Sequence, residues 1–292
     1  MKGELISITT KDGLIMQGIY CKSNCKKTII IHVHGSYGNF YENFFLEEMS
    51  NKFNETGVSF LSIRTRGSDY YSDFKILNNK EYKSKRIGGI REIFQECTLD
   101  IEPWILLAKK KGYHKVLLQG HSLGAMKIVY FNKNIEGNVD GLILLSPPDS
   151  IGLQKKDNAG RYEEYKEKAL ELLQKDNLQL MPKEAYFESI TCESFYNMLK
   201  ENDTGMFTYQ DVELMKKAGI NSINIPTFIS FATINEAIIN PIEYCISSFK
   251  KSSHDSSLLH FEIIENANHN YHFKEDILAE EISNWLIEKY NS

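Results

Sequence analysis

The chain has 292 residues, long enough for one large α/β domain or two small ones. Its 42% hydrophobic and 25% charged residues are ordinary for a globular protein, and a net charge of −5 gives no basic footprint for nucleic acid. No run approaches the roughly 18 apolar residues of a membrane span. Met1 to Ser7 turns polar too soon for a signal-peptide core, and five scattered cysteines form no disulfide framework, so a cytoplasmic protein is expected.

Glu4 to Thr9 and Leu14 to Tyr20 alternate in polarity around Lys11-Asp12-Gly13, which predicts an antiparallel hairpin. Six largely apolar runs follow: Thr28 to Val33, Val58 to Ile63, Val116 to Leu118, Gly141 to Leu145, Thr227 to Phe231 and Leu258 to Ile264. Such runs fit strands buried on both faces, as in a parallel sheet. Helical patterns separate several of them, over Phe44 to Phe53, Ile90 to Lys110, Ala125 to Phe131 and Lys274 to Tyr290. The expectation is an α/β fold with a mostly parallel sheet flanked by helices and led by a hairpin. Between the last two groups of strands, residues 151–224 are rich in Lys, Glu, Gln and Tyr and carry no strong strand run. They are expected to form a helical lid on a core made of residues 1–150 and 225–292, with Tyr162, Tyr165, Phe187, Phe195 and Tyr196 as candidate lining residues.

The chemistry centres on Gly120-His121-Ser122-Leu123-Gly124, directly behind the apolar run that ends at Gln119. Two glycines around a serine allow a sharp turn from strand to helix, with Ser122 strained and exposed. A helix N-terminus there would favour developing negative charge beside its hydroxyl. Ser122 is therefore a candidate nucleophile.

In this context the chain resembles the α/β-hydrolase superfamily over nearly its whole length. The resemblance implies an α/β-hydrolase fold and a serine hydrolase with no cofactor and no metal. It also implies roles for particular residues. His34-Gly35-Ser36-Tyr37-Gly38 corresponds to the oxyanion turn, with backbone N–H donors at Ser36 or Tyr37 and a second at Leu123. His34 itself is expected to hydrogen-bond locally, and His32 to be a core residue. In Asn266 to Phe273, His269 is the expected general base, with His272 as fallback.

The acid departs from the superfamily's pattern. The usual aspartate position after Thr227 to Phe231 holds Asn235, followed by Glu236. An asparagine can accept the imidazole N–H but brings no charge to an imidazolium. Glu236, reaching across the offset, is the first choice. Asp149, at the end of an earlier strand, and a weakened site built on Asn235 remain alternatives.

Other features are less specific. Arg64-Thr65-Arg66-Gly67 resembles an Arg-Gly turn of these hydrolases that anchors loops. Glu92, Glu96 and Asp100 recur every four residues, as expected of a solvated or Arg-paired helical face rather than a metal site. Gly88 to Glu92, Cys97, Asp100, Gly120 to Ala125 and Leu142 to Asp149 together resemble the branch that includes fungal siderophore esterases. The implied reaction is cleavage of a small-molecule carboxylic ester through an acyl-enzyme on Ser122. A thioester substrate or transfer to another acceptor is the second possibility, and a hydrolase fold kept as a binding protein is the third. No nucleic-acid or membrane partner is expected, and the oligomeric state is left open.

Overall fold

The computed structural model describes residues 1–25, 27–78, 81–135, 137–158, 160–200 and 203–290. Eight strands form one sheet in the order β1-β2-β4-β3-β7-β8-β9-β10. They are β1 (Glu4–Thr9), β2 (Ile15–Cys21), β3 (Thr28–Val33), β4 (Ser59–Ile63), β7 (Lys115–His121), β8 (Gly141–Leu145), β9 (Thr227–Ile234) and β10 (Leu259–Asn268). The β1–β2 and β2–β4 pairs are antiparallel, and every later pair is parallel.

The apolar runs are explained by helices on both faces. Along β3, Ile29, Ile31 and Val33 face one core with α2 (Cys97–Lys110) and α3 (Leu123–Asn134). Ile30 faces the other, with α1 (Phe45–Glu55) and α9 (Glu275–Tyr290). Successive side chains alternate sides, so a strand covered twice is apolar at most positions on both faces.

Two segments differ from the expectation. The helix expected to begin at Ile90 begins at Cys97, after a 3₁₀ turn at Phe94–Glu96. A second hairpin, β5 (Asp73–Asn78) with β6 (Glu81–Arg86), stands apart from the main sheet. It escapes a polarity reading because β6 is exposed throughout, while its anchor is one buried side chain, Phe74, and a bridge from Ile76 to Leu14.

Between β8 and β9 lie α4 (Ser150–Asp157), α5 (Tyr162–Leu173), α6 (Cys192–Met198) and α7 (Val212–Ala218). Among the described residues, this interval adds no strand to the sheet. One more helix, α8 (Ile242–Ser252), connects β9 to β10 and packs through Cys245 and Phe249 on the core that α2 and α3 share.

Candidate active site

The centre of the site is the junction of β7 and α3. Ser122 has φ 55° and ψ −124°, a conformation that a residue with a Cβ rarely adopts. The surrounding structure holds it there. Its N–H donates to the Leu145 carbonyl at 2.9 Å, and the flanking glycines allow the crossing to be tight. A Cβ on Gly120 would overlap the Gly124 carbonyl, and one on Gly124 would overlap the Val33 carbonyl.

The loop after β3 approaches this serine from the side. A Cβ on Gly35 would come within 3.0 Å of the Ser122 Cβ, so the close approach needs glycine here. The loop is fixed from behind by buried His34. Its Nε2 accepts from the Thr65 N–H at 3.3 Å, so Nδ1 carries the proton and donates to the Gly35 carbonyl at 2.8 Å. Burial pushes the pKa of His34 down to about 3, which keeps the clamp neutral. His34 thus bonds locally, and His32 is buried between Phe45 and Phe60 with Nδ1 on Gln119. Among the described residues, no acceptor within the chain takes the backbone N–H of Ser36, Tyr37 or Leu123. All three residues line the same cavity as Ser122.

His269 reaches that cavity from the loop after β10. Tyr271, two residues on, fastens the loop: its hydroxyl accepts from the Ser146 N–H at 2.9 Å and contacts Ser230 Oγ at 2.6 Å. His269 Nδ1 lies 2.9 Å from Asn235 Oδ1. An amide oxygen only accepts, so Nδ1 carries the proton and Nε2 keeps its lone pair. Asn235 Oδ1 also accepts from the Ala237 N–H at 2.9 Å, while its Nδ2 is buried with no partner among the described residues. Burial, with no carboxylate to oppose it, lowers the pKa of His269 to about 4.

The other acid candidates sit elsewhere. Glu236 lines the cavity, but its side chain is exposed and no hydrogen bond or ion pair joins it to His269. Asp149 is buried and caps α4, accepting from the Gly152 N–H at 3.1 Å and from Gln210 Nε2 at 2.5 Å. The fallback base, His272, contacts Asn268 Nδ2 at 3.2 Å and packs against Phe44.

One contact was not foreseen. His121, between Gly120 and Ser122, reaches the His269 carbonyl with Nε2 at 2.8 Å. Its place inside the glycine–serine turn was the only available signal, and that position carries no fixed residue type in such a turn.

The cavity has a volume of about 1060 Å³. Its walls include Ser122 and His269 on the sheet side, and Ile151, Tyr186, Phe187 and Met198 from the interval between β8 and β9. Of the candidate lining residues only Phe187 borders it. Tyr162, Tyr165 and Phe195 are buried in the packing of the helices themselves, and Tyr196 is half-buried against it. Tyr186 borders the cavity as well, together with Ser36.

The three spaced carboxylates are paired rather than convergent. Asp100 and Glu96 hold buried Arg66, whose Nη2 lies 2.9 Å from Asp100, and Glu92 lies 2.6 Å from the ammonium of buried Lys127. Among the described residues, no group of His, Cys, Asp and Glu could hold a metal ion.

No protein-family model matches the chain, and no curated protein matches its sequence. Solved structures do match. Est1E from Butyrivibrio proteoclasticus, with ferulic acid bound, matches at a TM-score of 0.66 and 16% identity, over 98% of this chain and 100% of its own. The hydrolase GrgF from Penicillium sp. sh18 matches at 0.68 and 13%, over 100% of both chains. The Pyrococcus furiosus esterase Pf2001 matches at 0.60 and 14%, over 98% of this chain and 92% of its own. At these identities the likeness is one of fold.

Proposed function

We propose that this chain, which has the α/β-hydrolase fold, is a serine hydrolase that cleaves carboxylic esters of small molecules. The observation that carries the reading is the meeting of three parts in one cavity: strained Ser122, the free Nε2 of His269, and unpaired N–H groups on two sides. Fold likeness to esterases, and to a structure holding ferulic acid, supports the substrate class.

In this reaction Ser122 Oγ attacks the ester carbonyl as His269 Nε2 takes its proton. The oxyanion is held by the N–H of Leu123 and that of Ser36, with Tyr37 as the alternative donor. Collapse breaks the bond to the alcohol oxygen, which leaves with the proton from His269. Water then gives a proton to the same nitrogen and attacks the acyl-enzyme; the bond to Ser122 Oγ breaks, that oxygen takes the proton back from His269, and the acid is freed. Asn235 keeps the proton on Nδ1 and sets the ring's orientation, without adding charge. Residues 151–224 act as the lid, and their side chains shape the substrate pocket.

A fluorophosphonate probe tests the nucleophile. The intact protein should be labelled on Ser122, with labelling and p-nitrophenyl ester hydrolysis both absent from Ser122→Ala. An unlabelled intact protein, or equal labelling of the alanine variant, would overturn the assignment.

A further inference from the structure

We propose that the acyl group accepted by this site is a flexible aliphatic chain of medium length, seated in a methionine-walled pocket beside Leu123. The inference rests on the ester-hydrolase reading and deepens it.

The direction of the substrate follows from the chemistry. The leaving alcohol oxygen receives its proton from His269, so the alcohol lies on the histidine's side. The cavity residues neighbouring His269 in sequence or in space are mostly polar, Asn270, His272 and Glu236, with Phe44 and Ala237 beside them. The alcohol takes the histidine's side, so the acyl chain takes the side of the cavity away from His269, where Leu123 and its apolar neighbours line the wall. That wall is apolar. Leu123, Met126, Ile151, Met198, Leu199 and Met206 all line the cavity, and all are at most 8% exposed.

These side chains belong to one buried apolar cluster. Met126 Sδ accepts from the Phe207 N–H at 3.3 Å and from Ser150 Oγ at 3.7 Å, which joins α3 to the start of α4 and to the Met206 segment. Leu123 and Met198 also meet around a small void of about 10 Å³ behind Tyr37. Three of the six residues are methionines, whose unbranched, polarizable side chains adapt to a ligand with many conformers. The cavity also reaches the upper end of the roughly 300–1,000 Å³ usual for small-molecule sites. An acetyl group would leave most of the apolar wall uncovered.

The test is a series of p-nitrophenyl esters with a constant leaving group. Each buried methylene is worth about fourfold in affinity. From acetate to octanoate, kcat/KM should therefore rise by at least ~50-fold, which allows for incomplete burial of the chain. A flat or falling series overturns the proposal. Met206→Trp and Met198→Trp, which fill the pocket, should each lower the octanoate-to-acetate ratio at least tenfold. A preference that survives both places the chain elsewhere and overturns the pocket.

Because filling substitutions can impair folding, Ser122→Ala is tested separately by thermal melting with ethyl octanoate or ethyl acetate. Only the octanoate should raise the midpoint. Equal shifts from both esters, or none, overturn the pocket. A selective shift beside an intact protein that hydrolyses no ester keeps the pocket and overturns the catalytic reading instead.

Discussion

His121 Nε2 donates to the backbone carbonyl of His269 across 2.8 Å, so the residue beside Ser122 holds the loop that carries His269. The two rings lie 4.9 Å apart, and His121 also packs edge-on against Phe45. Burial takes the pKa of His121 down to about 3, so the ring has one N–H to give and the carbonyl takes it. We expect His121→Phe, which keeps the packing but removes the donor, to lower kcat about three- to tenfold, in line with the roughly 0.5–1.5 kcal/mol of one neutral hydrogen bond. KM should stay nearly constant, and His121→Gln, with its amide donor, should recover part of the loss. Steady-state kinetics decide this, and an unaffected phenylalanine variant removes His121 from the positioning of the base.

On the proposed reading, Asn235 leaves the base His269 without a counter-charge. His269 must be neutral to accept the serine proton, and activity is lost as pH falls through its pKa of about 4. The acid limb of kcat/KM should therefore lie near pH 4. In Asn235→Asp the new carboxylate faces Nδ1, and its second oxygen replaces an amide nitrogen that is now buried without a partner among the described residues. A negative charge there favours imidazolium, so the limb should move up by at least a pH unit and turnover at pH 8 should rise about tenfold or more. Glu236→Gln should stay within about twofold of the parent. A large loss from Glu236→Gln, with no change in Asn235→Asp, would return the acid role to the glutamate. The measurement is a pH–rate profile on one ester for all three proteins.

How far the sequence alone reaches is visible in these same residues. β3, β7 and β8 are legible because both faces are buried and their runs are largely apolar. The β5–β6 hairpin is not, since β6 is wholly exposed. Helical spacing of Glu92, Glu96 and Asp100 suggests one helix, yet Glu92 lies ahead of it, where it meets Lys127. Ser122 is legible because two glycines frame it. The partner of His269 turns on a local bond, from the Ala237 N–H to Asn235 Oδ1, that fixes which side chain meets the imidazole at the end of β9. The superfamily's acid position points to residue 235, but the amide found there, in place of a carboxylate, makes the neighbouring Glu236 look the better partner.

Four histidines carry the acid sensitivity of the fold. His32, His34, His121 and His269 are all held below the usual value of 6.5 by burial, with His34 and His121 down to about 3 and His269 to about 4. As pH falls below about 6.5, the unfolded chain takes up protons at these sites before the folded protein does, so stability falls with pH. Each histidine contributes up to about 1.4 kcal/mol per pH unit in that range. Asp100 and Asp149, raised by burial, work in the opposite direction but are two groups against four. The urea midpoint should drop steeply from pH 6.5 to 5. A midpoint that stays level would show that these rings accept protons in the folded state.

The strain at Ser122 acts with opposite sign on activity and stability. At φ 55° and ψ −124° a Cβ is disfavoured, at a cost of about 1–3 kcal/mol, and glycine carries no such cost. Glycine also loses more chain entropy on folding, by roughly 0.5–1 kcal/mol. Relief of the strain outweighs that entropy loss, so Ser122→Gly should be inactive yet more stable than Ser122→Ala by about 1 kcal/mol, seen as a higher melting midpoint. Gly124→Ala supplies the contrast. Its Cβ would overlap the Val33 carbonyl, a backbone atom that cannot rotate away, so it should lose stability by about 2–3 kcal/mol. If Ser122→Gly melts below Ser122→Ala, the elbow stores no strain and the serine's exposure has another origin.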